Sequence, residues 1–566
     1  MRTGFVFSFL LICFFGWAQT STYPQGYFRN PLDIPMQLVS NFGELRANHW
    51  HMGLDIRTQQ RENLVVHAAA SGFISRIKIE PGGFGRAIYI QHPNGYTTLY
   101  AHLNDFEPKL EKWVREQEYR LQSWDVELTV PPNLFPVEKG QFIAYSGTTG
   151  GSQGPHVHFE IRDTKTENCL NPLLFGMPIT DLVPPTLLRL AMYDRNKSVY
   201  AQSPQLLPLK GAPGAYSLAR SGLLKVGSDK ISFAIGAIDK FTGSGNGNGI
   251  YSACIYMDDQ LQSEFILENI SYDETRYVNA QIDYRYKYNG GAYLQHLSKM
   301  PGDRSGVYTP VSNGVLNLND DQVHAVRIEV RDAAQKLSTL RFSVQYEAVL
   351  DKPSAASSPD KWIPGNYNIF EAPTFEAYAS EFSIYDTVPV TYSVKASSTA
   401  NNISSVHYLI GPSIPIQDLL TVRIKPTSEP PPELRNKVVI YSTSGTRKAV
   451  SKAQWSNGWV IAKLRQFGTY EALVDNVPPT INAPGVGDTI DLRRAGRIVF
   501  SPKDNLNEIE SFRATIDGQW LRFTNDKSLA FIYKFDEKFP AGVHELKVVV
   551  SDVAGNETIK SWYVRR

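Results

Sequence analysis

Short runs of alternating apolar and polar residues, separated by glycine turns, fill much of the first third of the chain. Residues 71–79 alternate in this way, and residues 87–90 follow after a glycine-rich turn. The pair Asn94-Gly95, a strong hairpin signal, then separates residues 87–90 from the strand-like run 96–100. A period of two residues is typical of β-strands with one face buried. We therefore predict a mainly β structure over about residues 25–175.

One stretch within this region has the period of a helix. Leu110, Trp113, Val114, Leu121 and Trp124 recur at helical spacing among charged residues. This spacing predicts an amphipathic helix over about 107–124, within an insertion at about 106–135.

The remainder of the chain contains an internal repeat. Residues 181–186 return as 475–480, each beginning with an aspartate shortly before two prolines, and residues 323–334 return as 543–554. Each copy would begin at the two prolines and end with a pair of strands, and an aspartate would lie at the turn that joins these strands. The first copy is much longer, so we expect it to carry an insertion near 260–320. Strand-and-turn modules of this kind resemble immunoglobulin-like sandwiches.

The first residues have the pattern of an export signal. Arg2 supplies a positive charge, residues 5–15 form a short apolar core, and Ala18 offers a small residue for cleavage before Gln19. An uncleaved anchor is the alternative. A lipoprotein at Cys13 is disfavoured because Ile12 stands where a small residue is needed. After cleavage we expect no transmembrane segment, and a location in the periplasm or cell envelope.

Charge and cysteine content narrow the range of partners. The chain has 57 basic and 56 acidic residues and no basic stripe, so we do not expect it to bind nucleic acid. Of its three cysteines, Cys13 would leave with the signal. Cys169 and Cys254 could pair or remain as two buried thiols, so disulfides do not build this fold.

Histidines concentrate in the first third of the chain and supply the candidate chemistry. His51 and Asp55 are four residues apart with a glycine between them. His156 and His158 are two apart on a predicted strand and would share one face. Imidazole and carboxylate ligands suit zinc. Each signal alone also has a plain explanation: a chance pair, a polar sheet face, or, for His102 at a strand end, a structural histidine.

Taken in order, these segments and their flanking residues resemble the lysostaphin/LytM-type zinc endopeptidases. The resemblance covers about residues 33–175 and rests on 42–46, the His51–Asp55 pair, 66–72, 100–103, 137–144, 146–152 and 154–160. It implies a small antiparallel β-sheet metallopeptidase domain with a duplicated hybrid motif, and the strand-and-turn pattern predicts that β-sandwich modules follow it. After His102-Leu103, about thirty residues intervene where the family usually turns quickly into its next strand. They could be a surface insertion or a wall of the substrate groove.

The resemblance also implies roles for individual residues. His51, Asp55 and His158 would hold one Zn²⁺, and His102 and His156 would be catalytic, flanking the water that the zinc activates. Which of these two histidines takes the proton is left open by the sequence. No His-Glu-x-x-His motif is present, so the thermolysin arrangement does not apply. We expect His49, His67 and His92 to be structural.

These observations predict five segments: a signal peptide (1–18), an N-terminal peptidase domain (19–178), a first immunoglobulin-like module with an insertion (179–350), a middle β-rich module (351–475) and a last immunoglobulin-like module (476–566). The expected function is an exported zinc metalloendopeptidase that hydrolyses peptide crosslinks of peptidoglycan, in the periplasm of a Gram-negative bacterium. One alternative is a non-catalytic LytM-like regulator of another cell-wall hydrolase. Another is an envelope adhesin or scaffold that binds envelope proteins through its β modules. The sequence does not identify the bond that is cut.

Overall fold

The period-two pattern of the sequence corresponds to β-strands throughout the molecule. The computed structural model describes residues 23–348, 360–528 and 530–566. It is mainly β, with 44% strand and 8% helix, which confirms the predicted fold class. The predicted signal peptide, with Cys13, lies outside the described residues.

The N-terminal domain is built from short strands around one helix, α1, at Pro108–Leu121. Strands β1 to β14 are, in chain order, Leu38–Ser40, Leu45–Arg46, His49–Trp50, Leu54–Arg57, Val65–His67, Gly72–Ile79, Arg86–Gln91, Tyr96–Ala101, Leu103–Phe106, Val126–Thr129, Pro136–Val137, Phe142–Ser146, His156–Asp163 and Cys169–Leu170.

Its main sheet is antiparallel, in the order β1-β4-β13-β8-β7-β6-β10, and a second sheet has the order β5-β12-β9. The two sheets share a core of aliphatic and aromatic side chains. The buried positions of β6 are Ile74, Ile77 and Ile79, and a register shift between Ile74 and Arg76 explains the departure from strict alternation. The strand order places β4, β13 and β8 side by side.

Helix α1 lies within the predicted range 107–124 but ends earlier. Glu107 accepts hydrogen bonds from the backbone N–H groups of the first turn, and Pro108 occupies the first helical position, where its missing N–H costs nothing. Gln122 adopts the left-handed conformation and closes the helix. Trp124 is therefore buried from the turn after the helix.

The first module contains β15 to β27 and the short helices α2 (Val278–Gln281) and α3 (Tyr284–Tyr288). Its strands are Thr186–Asp194, Gln205–Leu207, Leu209–Ala212, Ala215–Leu218, Leu223–Val226, Lys230–Ile238, Ser252–Met257, Gln260–Ile266, Asn269–Ile270, Gln295–His296, Leu316–Asn317, His324–Arg331 and Leu337–Tyr346.

Part of the extra length of the first copy lies where we expected it, because α2, α3, β24 and β25 fall between β22 and β26. A further part lies earlier, in β16 to β18 between β15 and β20. This earlier addition has no motif of its own, so the repeated segments at the two ends of the module did not reveal it.

The middle module contains β28 to β39, and the last module contains β40 to β46. Strands β28 to β39 are Lys361–Trp362, Asn368–Ala372, Phe375–Ala379, Val388–Pro389, Tyr392–Lys395, Val406–Leu409, Leu420–Ile424, Val438–Ser444, Arg447–Lys452, Gln454–Ser456, Trp459–Leu464 and Gly468–Val474. Strands β40 to β46 are Thr489–Asp491, Arg497–Phe500, Ile509–Ile516, Gln519–Trp520, Phe531–Lys534, Val543–Asp552 and Glu557–Arg565.

The repeat appears in the pairing of the closing strands. In the first module β26 pairs with β27, and β21 lies on its other side. In the last module β45 pairs with β46, and β42 lies on its other side. The middle module has two five-stranded sheets, β29-β30-β34-β38-β37 and β32-β33-β39-β35-β36. The predicted immunoglobulin-like character of the two copies stays a prediction.

The first module packs directly on the N-terminal domain. The main sheet extends into the first module, because β14 of the N-terminal domain pairs with β23 of that module. The indole of Trp50 is buried at this junction and donates to Gln281 Oε1 at 2.8 Å. Cys169 and Cys254 are both buried and both free. None of the helices in residues 23–348, 360–528 and 530–566 combines the length and the apolar character needed to cross a membrane.

Candidate metal centre and groove

Three neighbouring elements of the main sheet bring the predicted site residues together. Asp55 on β4 lies directly opposite His158 on β13, and His158 in turn lies opposite Ala101, the last residue of β8. His102 follows Ala101 in the left-handed region, with φ of 60°, which turns the chain at the strand end. His51 precedes β4. The sheet therefore collects residues from three separate parts of the sequence.

Gly53 is the residue that allows β4 to begin beside β13. A Cβ atom at this position would lie 2.5 Å from the carbonyl oxygen of Phe159 and 3.0 Å from the ring of His158. No side chain fits into that space. The glycine between His51 and Asp55 is thus required by close backbone packing at the candidate site.

His51, Asp55 and His158 each place one side-chain atom around the same point, and the three distances between these atoms are equal. His51 Nε2 lies 3.0 Å from Asp55 Oδ1 and 3.0 Å from His158 Nδ1, and His158 Nδ1 lies 3.0 Å from Asp55 Oδ1. All three side chains are buried. These three residues form a group that could hold a metal ion.

In His51 and His158 the ring nitrogen that faces away from the group, here called the outer nitrogen, has a hydrogen-bond partner of its own. These partners determine which ring nitrogens carry hydrogen. His51 Nδ1 lies 2.7 Å from the carbonyl oxygen of Asn41, and His158 Nε2 lies 2.9 Å from Glu160 Oε1. Carbonyl and carboxylate oxygens only accept, so the outer nitrogens donate, and in the neutral rings the inner nitrogens have lone pairs. Two lone pairs and a carboxylate oxygen then face one another at 3.0 Å, an arrangement that a cation stabilises. Two imidazoles and one carboxylate are a donor set that fits zinc.

The charges around the group follow from its burial. Burial alone would raise the pKa of Asp55, but the three neighbouring histidines hold it well below its usual value. Glu160 is also buried, and Arg162 together with His158 lowers its pKa to about 2. Burial would lower the pKa of His158, whereas hydrogen bonds to Asp55 and Glu160 raise it to about 9. A proton and a metal ion therefore compete for His158 Nδ1.

His102 and His156 lie beside this group with similar hydrogen bonds. His102 Nδ1 donates to the carbonyl oxygen of Thr149 at 2.8 Å, and His156 Nδ1 donates to that of Gly154 at 2.8 Å. Their ring centroids are 4.7 Å apart. Burial and the nearby histidines lower the pKa of His102 to about 3, so its ring is neutral at neutral pH. In His102, Nε2 is the nitrogen left for another partner, whereas Nε2 of His156 lies 3.3 Å from Asp55 Oδ1.

A groove with a volume of about 1250 Å³ passes these side chains. Its lining includes Arg46, His49, Phe84 and Tyr272. Tyr272 comes from the first module, packs edge-on against the ring of Phe84 at 6.0 Å, and donates its hydroxyl hydrogen to Glu160. The first module thus supplies part of the groove wall and a further hydrogen bond to the carboxylate that holds His158.

The last module contacts the rim of the same domain. Asp526 Oδ1 accepts from the backbone N–H of Gly150 at 2.7 Å, and the backbone N–H of Lys527 donates to the carbonyl oxygen of Pro81 at 2.7 Å. On helix α1, Glu118 is fully buried and forms an ion pair with Arg522. The helical insertion therefore serves as a docking surface for the last module.

The other histidines of this domain have different partners. His92 is held between the carbonyl oxygen of Ser71 and the hydroxyl of Thr98, and His67 between the carbonyl oxygen of Gly140 and Asp33. His49 lines the groove with its Nδ1 on the carbonyl oxygen of Ala47. None of the three belongs to the metal-capable group.

Some residues of the site had no assigned role in the sequence interpretation. Glu160 is two residues beyond His158 on β13, so the period of two could have assigned it to the same face. Asn41 and Tyr272 carried no such signal. Asn41 acts through its backbone carbonyl, and Tyr272 lies in the insertion of another module.

Comparisons with known protein families match two parts of the chain. The family model described as Peptidase family M23 matches residues 49–119, and that of the Zu5-like domain matches residues 363–475. The first match confirms the resemblance of the N-terminal domain to the LytM-type peptidases. The second covers most of the segment predicted as the middle module.

Curated relatives match the same part of the chain. An "Uncharacterized metalloprotease" of Haemophilus influenzae is 28% identical over 168 residues, 29% of this chain and 30% of the relative. The "DD-carboxypeptidase/endopeptidase Mpg" of Neisseria meningitidis serogroup B is 32% identical over 132 residues, 23% of this chain and 24% of the relative. The chain thus spans less than a third of the length of either relative.

Among solved structures, the catalytic domain of lysostaphin from Staphylococcus simulans is similar. It is 22% identical and covers 25% of this chain and 92% of that domain, with a TM-score of 0.19.

Proposed function

We propose that the chain is an exported zinc metalloendopeptidase that hydrolyses peptide crosslinks of bacterial peptidoglycan. The observation that carries this proposal is the convergence of His51 Nε2, Asp55 Oδ1 and His158 Nδ1 at 3.0 Å, with two further histidines beside them. The family match over residues 49–119 supports a peptidase.

The three converging residues would hold one Zn²⁺ in the domain. Three protein ligands leave a fourth tetrahedral position open, as catalytic zinc sites do. When bound, zinc lowers the pKa of a coordinated water to about 7 and polarises the scissile carbonyl. Asn41 and Glu160 orient the two imidazoles through their outer nitrogens, and Tyr272 fixes Glu160.

His102 and His156 would move the proton and stabilise the developing charge. His102 is neutral at neutral pH and its Nδ1 hydrogen is engaged by Thr149, so its Nε2 can accept a proton from the attacking water. His156, oriented by Gly154, would donate from Nε2 to the carbonyl oxygen in its imidazolium form, since its Nδ1 hydrogen is already engaged by Gly154. We propose this division of roles for the two histidines, whose roles the sequence left open.

The groove supports a peptide as the substrate. It is lined by aromatic, imidazole and guanidinium side chains, a mixture suited to short peptides that carry carboxylates. We propose the D-alanine to diaminopimelate crosslink of a Gram-negative envelope as the bond cut. The name of the Neisseria relative, a DD-carboxypeptidase/endopeptidase, supports this class of bond. The periplasm is the proposed location.

The experiment compares three single variants of the mature chain on isolated sacculi. His102→Ala should lower peptide release by about 10²–10⁴-fold while one zinc per chain remains, because this residue is not a ligand. His158→Ala should lose both zinc and activity. His67→Ala, a histidine bonded to Asp33 outside the group, should keep both.

Zinc content is measured by elemental analysis, and released peptides are identified by mass. Peptide release that persists in fully metal-free protein would contradict the zinc assignment. Zinc-loaded protein that cuts no crosslinked muropeptide would instead favour the regulatory alternative. That alternative is tested by measuring whether the chain activates a second cell-wall hydrolase.

A further inference from the structure

The repeat brings three aspartates together at one end of each of its two copies. In the first module one carboxylate oxygen from each of Asp181, Asp239 and Asp332 lies within 4.8 Å of the others. In the last module one carboxylate oxygen from each of Asp475, Asp504 and Asp552 also lies within 4.8 Å of the others. We call these the first and the last aspartate triad.

The two triads occupy the same positions of the strand framework. Thr186 pairs with Ile238 in the first module, and Thr480 pairs with Lys503 in the last. Asp239 and Asp504 each follow the paired residue directly. The aspartates before the prolines and those at the turn between the two closing strands are already equivalent by sequence. The triad is thus a shared feature of the module.

The first triad has too few hydrogen-bond donors for its oxygens. Asp181 Oδ1 accepts from the N–H of Val183 at 3.2 Å, and Asp332 Oδ1 accepts from the N–H of Lys336 at 2.8 Å. Asp239 Oδ1 and Asp332 Oδ2 are buried without any partner, although these two residues are only 2% and 1% exposed. Burial of such oxygens is costly unless a donor or a cation compensates for it.

The charge of the first triad is also uncompensated. Among the residues that the structure describes, no Lys, Arg or His forms an ion pair with any of its three members. The charge of Lys336 acts on Asp332 only from a greater distance. Burial and the carboxylates of Asp181 and Asp332 raise the pKa of Asp239 to about 8.

The last triad differs because amide side chains donate to it. Asn505 Nδ2 donates to Asp475 Oδ1 at 3.1 Å, and Asn556 Nδ2 donates to Asp552 Oδ2 at 2.8 Å. In the first module Lys336 stands in place of Asn556, and only its backbone N–H reaches Asp332. Side-chain donors therefore satisfy Asp475 and Asp552, and Asp504 Oδ1 is the oxygen of the last triad that stays buried without a partner. The first triad has two such oxygens and, in the described part of the chain, no amide side-chain donor.

We propose that Asp181, Asp239 and Asp332 form a calcium site. The ligands are all oxygens, without nitrogen or sulfur, which favours a hard cation over zinc. Calcium accepts six to eight oxygen ligands in flexible geometry, so backbone carbonyls and water can complete three carboxylates. Magnesium requires near-ideal octahedral geometry and gives up its water reluctantly, so it should bind more weakly.

The site lies at the base of a loop that contacts the N-terminal domain. Asp239 and Asn248 exchange both backbone hydrogen bonds, at 3.0 and 2.8 Å, and close the loop between them. The next residue, Gly249, forms two hydrogen bonds with the side chain of Asn41. Asn41 Nδ2 donates to the carbonyl oxygen of Gly249 at 2.8 Å, and Asn41 Oδ1 accepts from the backbone N–H of Gly249 at 2.9 Å. Calcium would therefore stiffen a loop that supports the backbone of Asn41.

Calcium titration of the full mature chain, freed of calcium and loaded with one equivalent of zinc, tests this proposal. Calorimetry should detect one calcium per chain with a Kd of about 10⁻⁵–10⁻³ M, and the melting temperature should rise with calcium more than with magnesium. Asp239→Asn should abolish both responses. Asp504→Asn, the matched change in the last triad, should leave both unchanged.

A second control removes a carboxylate of similar burial outside the triads. Asp303→Asn should retain calcium binding, because Asp303 is buried with one unpartnered oxygen but belongs to no triad. Should Asp239→Asn fail to fold, Asp332→Asn and calcium-dependent hydrogen exchange of residues 240–250 in the unmodified chain provide the readout. Absence of calcium heat in the unmodified chain, or its loss in Asp504→Asn alone, would overturn the assignment.

Discussion

The two copies of the repeated module both contact the N-terminal domain, and they do so by different means. The first copy supplies Tyr272, which joins the hydrogen bonds behind His158, and Gly249, which is held by Asn41. The last copy supplies Arg522, which pairs with the buried Glu118 of α1. One copy therefore supports the candidate metal site, whereas the other docks on an insertion beside it.

This difference lies in loops and insertions, while the strand framework is shared. Both copies keep the closing strand pair and the three aspartates. Tyr272 lies in the segment that only the first copy has, and Arg522 lies between β43 and β44 of the last copy. A repeat thus preserves the residues that build the module, and each copy acquires its contacts outside them.

The largest expected effect comes from breaking the contact of the last copy. Arg522→Ala leaves Glu118 buried without its cation, and loss of one partner from a buried pair costs about 3–5 kcal/mol. We expect the last module to detach from α1, with a lower melting temperature and faster proteolysis. Differential scanning calorimetry and limited proteolysis measure both.

The control for this variant is Arg493→Ala in the same module, because Arg493 pairs with Asp491 at the surface. It should not change the unfolding transition. A double variant, Glu118→Leu with Arg522→Leu, should recover much of the loss, since it removes both charges. An unchanged transition in Arg522→Ala would show that the ion pair does not hold the last module.

An intermediate effect is expected from the contact of the first copy. Tyr272→Phe removes the hydroxyl that donates to Glu160 and should weaken zinc binding by about 10–100-fold, the usual range for residues behind a ligand. Competition with a chromophoric chelator measures this affinity. Tyr251→Phe, which removes a hydroxyl bonded to Glu268 instead, is the matched control and should not alter it.

The smallest effect concerns a pair that both copies share. His324 Nδ1 lies 2.6 Å from Asp258 Oδ2, and His544 Nδ1 lies 2.6 Å from Asp517 Oδ2. The hydrogen bond to Asp258, with a second to Asp320, raises the pKa of His324 above its usual value. Its contribution to stability is therefore complete below the unfolded pKa and is lost as pH rises through the folded pKa.

Accordingly, His324→Gln should destabilise the chain by less than about 1 kcal/mol near pH 5.5 and by less still near pH 9, since both carboxylates are half exposed. Urea midpoints at the two pH values measure the difference. His544→Gln should have a smaller effect, because His544 contacts one carboxylate rather than two. An equal loss at both pH values would contradict a charged His324.

Local patterns in the sequence predicted much of the fold and of the site. The spacing of His156 and His158 predicted one shared face, and both belong to β13. Glycine turns predicted the strands around them. The end of α1 at Gln122 was missed because a left-handed cap can be formed by residues other than glycine.

Contacts between distant segments were not predictable from the sequence. The pair Glu118–Arg522 joins residues 404 positions apart, and Tyr272 is 112 positions from Glu160. No local period encodes such a contact, since it depends on how modules pack. Asp239 and Asp504 illustrate the same limit, because their flanking residues differ and only strand register reveals their equivalence.

The hydrogen bonds of Asn41 to both His51 and Gly249 have a consequence for work with fragments of the chain. The carbonyl of Asn41 orients His51, and its side chain holds Gly249 of the first module. A fragment that ends after the N-terminal domain would keep every proposed zinc ligand. It would lose Gly249, which bonds Asn41, Gln281, which accepts from Trp50, and the hydroxyl of Tyr272, which donates to Glu160. Such a fragment would have a looser metal site than the whole chain. Minimal fragments for enzymology should therefore include the first module.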